Sequence, residues 1–503
     1  MDGYDVIVVG AGNAGLTASA SLARRGLNVL LLERHNVPGG SATSFCRGRF
    51  EFEVALHQLS GLGTPENPGP LRALLGSLGV LEDLAFVEMS DLYRVQTTDG
   101  FDVTLRADRH QVVRELQALF PGESAAIESF FALVYEFAQQ MIQAVVFRDP
   151  EPTREKYPVL YRYAFTPCKD VLDECFRDPL LKAVVSVYWG YLGLPPNRLA
   201  FTYLAMLFFT YIEFKPFHLK GGSQALSNAL AARFLSAGGT VRYHCGVKRI
   251  LVDEGRVRGV VTDDGEEIPA RFVVSNVSPV ATYLQLVGAE RVPQATLTEM
   301  RGRSLGPSAF TLYMGFDCEP PELGITESTS FIMPHTDIGD LSYNRMRQLE
   351  TGSELMVMSC YDVADPEFSP PGASQVNLVT LKFGEPWLRV PPTEYYRTKY
   401  RSAEAMLRTV ERVYPGLRER IEEMEVATPL THMRYLGHPG GSIYGFEQQT
   451  KDSLFFQPGR RSPIGGLFFA SGWSGDCGFQ PTLEAGRAAA GSILKAIDAG
   501  ECT

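Results

Sequence analysis

The sequence lacks the marks of a metal-binding, nucleic-acid-binding or membrane-spanning protein. Its eight cysteines, at positions 46, 168, 175, 245, 318, 360, 477 and 502, form no C-x-x-C pair, and none sits at ligand spacing beside a histidine. This excludes a dithiol redox centre and a zinc site, no metal is expected, and most of the thiols read as small core residues. Positive charge is in deficit, with 47 Lys and Arg against 58 Asp and Glu and a net charge of -11, so nucleic acid is not an expected partner. No apolar run is long enough to span a bilayer; the closest, 199–212, lies between Arg198 and Glu213. Internal repeats and low-complexity stretches are absent. The first strand begins within a few residues of Met1, which leaves no room for a signal peptide, so a cytoplasmic location is expected. With 503 residues, 45% hydrophobic and 21% charged, the chain has the make-up of two large globular domains.

What is present is concentrated at the start. Residues 6–33 read VIVVGAGNAGLTASASLARRGLNVLLLE: an apolar strand, the turn Gly10-Ala11-Gly12-Asn13-Ala14-Gly15, a helix with small residues on its inner face, and a second strand ending in Glu33. Gly10 permits the tight turn, Gly12 lets the backbone approach a pyrophosphate, and Gly15 lets helix pack on strand. The helix N-terminus then faces the phosphates with its partial positive charge. Glu33 falls where a carboxylate accepts from ribose hydroxyls, and an acid there disfavours a 2′-phosphate. FAD and NAD both satisfy this unit.

The next residues separate them. Arg34 is followed by His35-Asn36-Val37-Pro38-Gly39-Gly40-Ser41-Ala42-Thr43-Ser44-Phe45, a run that resembles the GR2-type flavoproteins, whose paired glycines lie against the FAD pyrophosphate. The segment from Phe50-Glu51-Phe52-Glu53 to His57 and Gly61 resembles the branch of phytoene desaturases, carotenoid isomerases and retinol saturases, with Ala55 in place of a glycine. The C-terminal stretch 466–483 resembles the signature of the same branch; here Gly475-Asp476 and Gln480-Pro481 replace the Pro-Gly pairs of the bacterial desaturases. The resemblance implies an α/β fold, a GR2-type Rossmann-like FAD-binding domain interleaved with an α+β substrate domain. Its FAD domain would comprise residues 1–69, 215–300 and 426–503, and its substrate domain 70–214 and 301–425. The implied FAD contacts are Gly10, Gly12, Asn13, Ala14, Gly15, Glu33, Arg34, Gly39, Gly40, Ser41, the backbone of Val247, Gly472, Asp476, Pro481, Thr482 and Leu483. Asp476 would meet a ribityl hydroxyl or cap its turn, and the helix opened near Pro481 would aim its N-terminus at the flavin pyrimidine.

Between these motifs, periodicity predicts helices over 71–78, 109–119, 123–144 and 180–214, a β-hairpin over 257–274 turning at Asp264-Gly265, strands at 309–315, 355–361 and 376–383, and a long helix over 393–413. A helix start is expected at Lys220-Gly221-Gly222. Residues 154–169 mix basic and aromatic side chains as an interfacial membrane contact does, and as an ordinary half-exposed helix also does.

Flavin chemistry asks the protein to position a substrate and place an acid or base. The polar candidates are His57, as a proton donor or acceptor; Glu213, as an acid if burial raises its pKa, or as a partner of Lys215; and Tyr444 in its glycine-rich approach. Cys477, beside Trp473, would form an adduct or simply pack. The aromatic stripe from Val187 to Phe214 reads equally as core and as the wall of a lipid channel. The function expected is FAD-dependent desaturation, saturation or isomerisation of carbon-carbon double bonds in a long apolar isoprenoid, carotenoid, retinoid or unsaturated fatty acyl substrate. With a single dinucleotide motif, electrons would pass to or from a transient partner: NAD(P)H, a quinone, ferredoxin or oxygen. An amine or porphyrinogen oxidase shares the fold and first motif, and a GDI-like prenyl-binding protein shares the fold without flavin.

Overall fold

The computed structural model describes residues 3–450, 461–473 and 477–500. The apolar segment Tyr4–Val9 forms the middle of a seven-stranded sheet, buried on both faces as a near-continuous hydrophobic run requires. It pairs in parallel with Val29–Leu32 on one side and with the C-terminal half of Glu267–Ser275 on the other. Thr240–Arg242 adds beyond Val29–Leu32. Glu267–Ser275 forks: its first half joins the antiparallel strands Arg256–Thr262 and Val247–Asp253, and its last three residues pair with Leu467–Phe469. Gly265, at φ +94°, makes the hairpin turn.

Three helices cover one face of this sheet around a shared core that includes Leu16, Leu230 and Ile493. Asn13–Ala23 packs against Phe479–Asp498 and Gly222–Ser236. Small residues permit the closeness, for a Cβ on Gly486 would lie 2.2 Å from the Ala14 carbonyl oxygen.

A second seven-stranded sheet runs in the order Ile421–Ala427, Ser308–Phe316, Ser374–Lys382, Met356–Cys360, Thr329–Met333, Asp91–Thr97, Asp102–Arg106. Its pairs are antiparallel except for Thr329–Met333 with Asp91–Thr97. Ser308–Phe316 shows why a strand buried on both faces can still have two characters. Phe310, Leu312, Met314 and Phe316 enter a core with Trp387 and Met406, while Ala309, Thr311 and Tyr313 face a large cavity.

The helical layer over that cavity is more broken than periodicity predicts. The expected 180–214 helix is three pieces, Pro179–Ser186, Trp189–Leu192 and Phe201–Phe214. Gly193 turns left-handed at φ +89°, and Pro195 and Pro196 supply no N–H to continue the ladder. The 123–144 helix is α-helical over Ser124–Met141 and loosens into a π-turn, Ile142–Val146. The helix expected from Lys220 starts at Gly222, and the long helix at 393–413 spans Tyr395–Glu411. Within 154–169 the helix is broken into Pro158–Tyr163 and the first two residues of Cys168–Cys175, and three of the basic residues are spoken for: Lys156 pairs with Asp149, Arg162 with Glu174 and Lys169 with Asp173.

Candidate active site

The glycine turn is locked before any ligand is considered. Gly10 has φ +97°, and a Cβ on Gly15 would lie 2.0 Å from the Gly10 carbonyl oxygen. The Gly12 N–H donates to Asn276 Oδ1 at 3.0 Å, and Asn276 Nδ2 donates to the Ala470 carbonyl at 2.6 Å. A Cβ on Gly12 would meet that Asn276 oxygen at 2.6 Å. The second glycine pair closes over the first: the Gly39 N–H donates to the Ala11 carbonyl, and a Cβ on Gly40 would sit 3.3 Å from the Gly12 Cα. Glu33 is buried and accepts from the N–H groups of Ala11 at 2.7 Å and His35 at 2.8 Å, so the acid braces the turn as well as offering its remaining lone pairs. Asn13, Gly40 and Ser41 line the cavity, and Asn13 Oδ1 is buried with no protein partner.

Other expected contacts sit differently. Arg34 is not on the cavity wall; its guanidinium donates to the carbonyls of Arg434 and Tyr435, where it satisfies the end of the helix Pro429–Leu436. Val247 is also off the wall, opening its strand two residues after Cys245, whose N–H donates to the Glu33 carbonyl. Ala14 serves helix packing. The helix expected from Thr482 begins at Phe479, and Pro481 and Thr482 line the cavity in its first turn. The Leu483 side chain is wholly in the core, and Gly472 packs against Thr482 rather than forming wall. Asp476 lies outside the described residues.

From the glycine turn the cavity extends as one space of about 1830 Å³. The second sheet contributes Thr311, Val357, Val379 and Ala427; the 201–214 helix contributes Tyr203, Met206 and Phe209; Met141, Ile142, Val146 and Phe147 line its far part. The aromatic stripe is therefore divided between cavity wall and core, because Phe201 and Phe208 pack into core against Phe137 and Phe131.

His57, Tyr444 and Cys477 all reach the wall. The His57 ring stacks on Tyr191 at 6.0 Å, and its Nδ1 lies 3.4 Å from the Tyr361 hydroxyl. Burial pulls its pKa down to about 4, so it is neutral at pH 7. Tyr444 donates to the Gly190 carbonyl at 3.2 Å, and burial raises its pKa. Glu213 is not on the wall: its carboxylate accepts from Asn67, and Lys215 instead donates to the Ala107 carbonyl. Glu213 therefore contributes no side chain to the cavity lining.

Sequence reasoning gave no role to Glu53, Asn276, Tyr361 or Asn377. Glu53 is buried and accepts from Ser223 N and Oγ, both at 2.7 Å, and from Leu56 and Ala55 N–H groups, which ties the strand Phe50–Glu53 to the start of the 222–236 helix. Burial raises its pKa. Its place in the F-x-F-E run was the available signal; the other three are joined to the site only by tertiary contacts.

The sequence matches, over residues 13–494, the family described as flavin-containing amine oxidoreductase. The chain belongs to this family. Among its relatives, all-trans-retinol 13,14-reductase of Danio rerio is 26% identical, covering 97% of this chain and 86% of the relative. Prolycopene isomerase of Arabidopsis thaliana is 23% identical over 92% of this chain and 78% of its own length. An oxidoreductase from Methanosarcina mazei superposes with a TM-score of 0.64 at 18% identity, covering 97% of this chain and 99% of that one, which shows the shared fold. As a member of the flavin-containing amine oxidoreductase family the chain is an FAD-dependent enzyme, and its residues suit that group. The glycine cradle, the unpartnered Asn13 oxygen, the Glu33 carboxylate and the first turn of the 479–498 helix together offer what a dinucleotide requires.

Proposed function

We propose that this FAD enzyme acts on carbon-carbon double bonds of a long apolar isoprenoid chain of the retinoid or carotenoid kind. The observation that carries this reading is a cavity of about 1830 Å³ lined both by Asn13, Glu33 and Gly40 of the dinucleotide cradle and by apolar side chains such as Met206, Phe209 and Val357. Pockets for one small ligand typically span about 300–1,000 Å³, so this one has room for a cofactor and an extended second molecule. When bound, FAD supplies hydride exchange with carbon. The protein's part is to hold the chain between the sheet and the 201–214 helix and to exclude water from it. The names of the retinol reductase and prolycopene isomerase relatives point to the same substrate class.

Supply of such a substrate favours a peripheral membrane contact at Val146 and Phe147, 61% and 69% exposed where the cavity lining ends. No helix of the described residues is long and apolar enough to cross a membrane. The electron partner is a transient one, of the NAD(P)H, quinone, ferredoxin or oxygen type. Extraction of the purified protein tests the reading: FAD and a bound isoprenoid should be released together and identified by mass spectrometry. A colourless protein that ignores added FAD would overturn it.

A further inference from the structure

The floor of the cavity leads to positive charge. On the second sheet Val357, Val379, Thr311 and Ala427 stand directly opposite one another on four neighbouring strands, and all four line the cavity. The row crosses three strand spacings, about 14 Å in all. It ends on Ile421–Ala427, an edge strand of the sheet. Two residues back along that strand, and so on the same face, stands Glu425, also on the wall.

Glu425 divides its carboxylate between two cations. Arg47 Nε donates to Oε2 at 3.0 Å and Lys399 Nζ to Oε1 at 3.3 Å. Burial works to raise the Glu425 pKa, but the Val426 N–H, Arg47 and Lys399 together hold it below its ordinary value, so the group is ionised at pH 7. A third cation, Arg434, lines the same cavity. The helices that carry Lys399 and Arg434 start side by side, because the Tyr395 hydroxyl lies 3.0 Å from Thr428 Oγ1, the cap of the 429–436 helix. Each cation follows about one turn into its helix: Lys399 is four residues after Tyr395, and Arg434 four after Leu430, and all of these line the wall.

Three positive groups therefore stand against one carboxylate where the apolar floor ends. The Lys399 side chain is only 10% exposed, and Glu425 is its one hydrogen-bond partner among the described residues. An ammonium has three donors, and burial makes idle ones costly, so this group calls for a further acceptor. A surplus of two charges suits a phosphate monoester, which carries about −1.5 to −2 at pH 7. A carboxylate would answer only half of it.

We propose that the substrate's apolar chain lies along this floor and ends in a phosphate held at the sheet edge by Arg47, Lys399 and Arg434, which makes it a polyprenyl phosphate. The inference rests on the isoprenoid reading above and adds an anionic head to it.

Calorimetric titration of the FAD-loaded protein with geranylgeranyl monophosphate and with geranylgeraniol isolates the head group. The phosphate should bind about tenfold tighter than the alcohol, or more, and the gap should narrow in high salt because the Arg47 end of the cluster is half exposed. Lys399→Gln and Arg434→Gln should each cut that preference by about fivefold or more and leave the alcohol affinity as it was, and Lys399→Arg should restore it. Flavin absorbance per protein should stay at the wild-type value in every variant. Equal affinity for phosphate and alcohol, or a preference that survives both Gln variants, overturns this inference and leaves the isoprenoid reading standing. Two further outcomes also overturn it: loss of flavin from the Gln variants, which would give these cations to the cofactor's own pyrophosphate, and binding of NADPH that the same variants weaken while the prenyl ligands show no preference. Failure of both prenyl ligands to bind a protein that retains FAD overturns both readings.

Discussion

At the scale of single residues, the glycine turn and three half-buried histidines give the firmest expectations. Gly12→Val should abolish FAD retention, because the added carbon atoms strike Asn276 Oδ1 and enter the space a pyrophosphate needs. Glu33→Ala should be milder, weakening FAD binding while freeing the N–H groups of Ala11 and His35; charge-assisted hydrogen bonds are worth about 1.5–3 kcal/mol each. Absorbance of the bound flavin after gel filtration ranks the two, and normal occupancy in Gly12→Val would make the motif merely structural. His57, His432 and His438 are all pulled by burial from about 6.5 to about 4. A group with a depressed folded pKa binds its proton more readily when unfolded, so its stabilising contribution is full above about pH 6.5 and is lost as pH falls towards 4. Urea midpoints of the FAD-free chain should accordingly drop between pH 7 and pH 5, and His57→Phe should flatten that drop. A pH-independent midpoint would show these imidazoles to be solvated. The same shift leaves His57 neutral at pH 7 on the cavity wall, while Glu213 lies off that wall.

At the scale of elements, the informative segment is the end of the 124–141 helix. Its π-turn carries Val146 and Phe147 into solvent while Met141 and Ile142 line the cavity, so one turn of chain connects surface and interior. Arg148, left-handed at φ +53°, ends it abruptly. The double variant Val146→Lys, Phe147→Glu should slow substrate uptake from lipid vesicles by about tenfold or more, since fully burying one such side chain is worth about 1.5–3 kcal/mol. Turnover of detergent-dispersed substrate should change little. Equal losses in both assays would place the defect in folding or chemistry rather than in membrane contact. Periodicity predicts uninterrupted helices over 123–144 and over the neighbouring 180–214 stretch. Gly193, Pro195 and Pro196 were visible as breakers, but the apolar residues on both sides kept a helical period running through them. Where periodicity and turn chemistry agree, as in the 257–274 hairpin with Gly265, the expected and observed elements coincide.

At the scale of the whole molecule, the cofactor cradle draws on residues 10–15, 33–41, 276 and 478–482, which lie hundreds of positions apart. A ligand that binds only the folded arrangement stabilises it, by about 2.7 kcal/mol at a hundredfold excess over Kd. The melting temperature should therefore rise steadily with added FAD, and a melt unaffected by FAD would mean the cradle does not bind it. The nucleotide unit, the family and the cofactor were legible in the sequence because they are local: strand, glycine turn, helix and acid lie within residues 6–33, and their spacing alone dictates their geometry. The substrate end was not, because its parts come from separate elements. His57 stands out in the sequence, but its surroundings, Tyr191 stacked on the ring and the Tyr361 hydroxyl near Nδ1, come from elements more than a hundred residues away. Glu213 and Tyr444 look equally eligible as letters; one faces Asn67 and the other the cavity, according to how the 201–214 helix and the 441–446 turn are rotated by packing. Sequence determines chemistry that short-range backbone geometry can place, and tertiary structure decides which of the remaining polar groups face the ligand, since orientation is set by burial and by partners that only folding supplies.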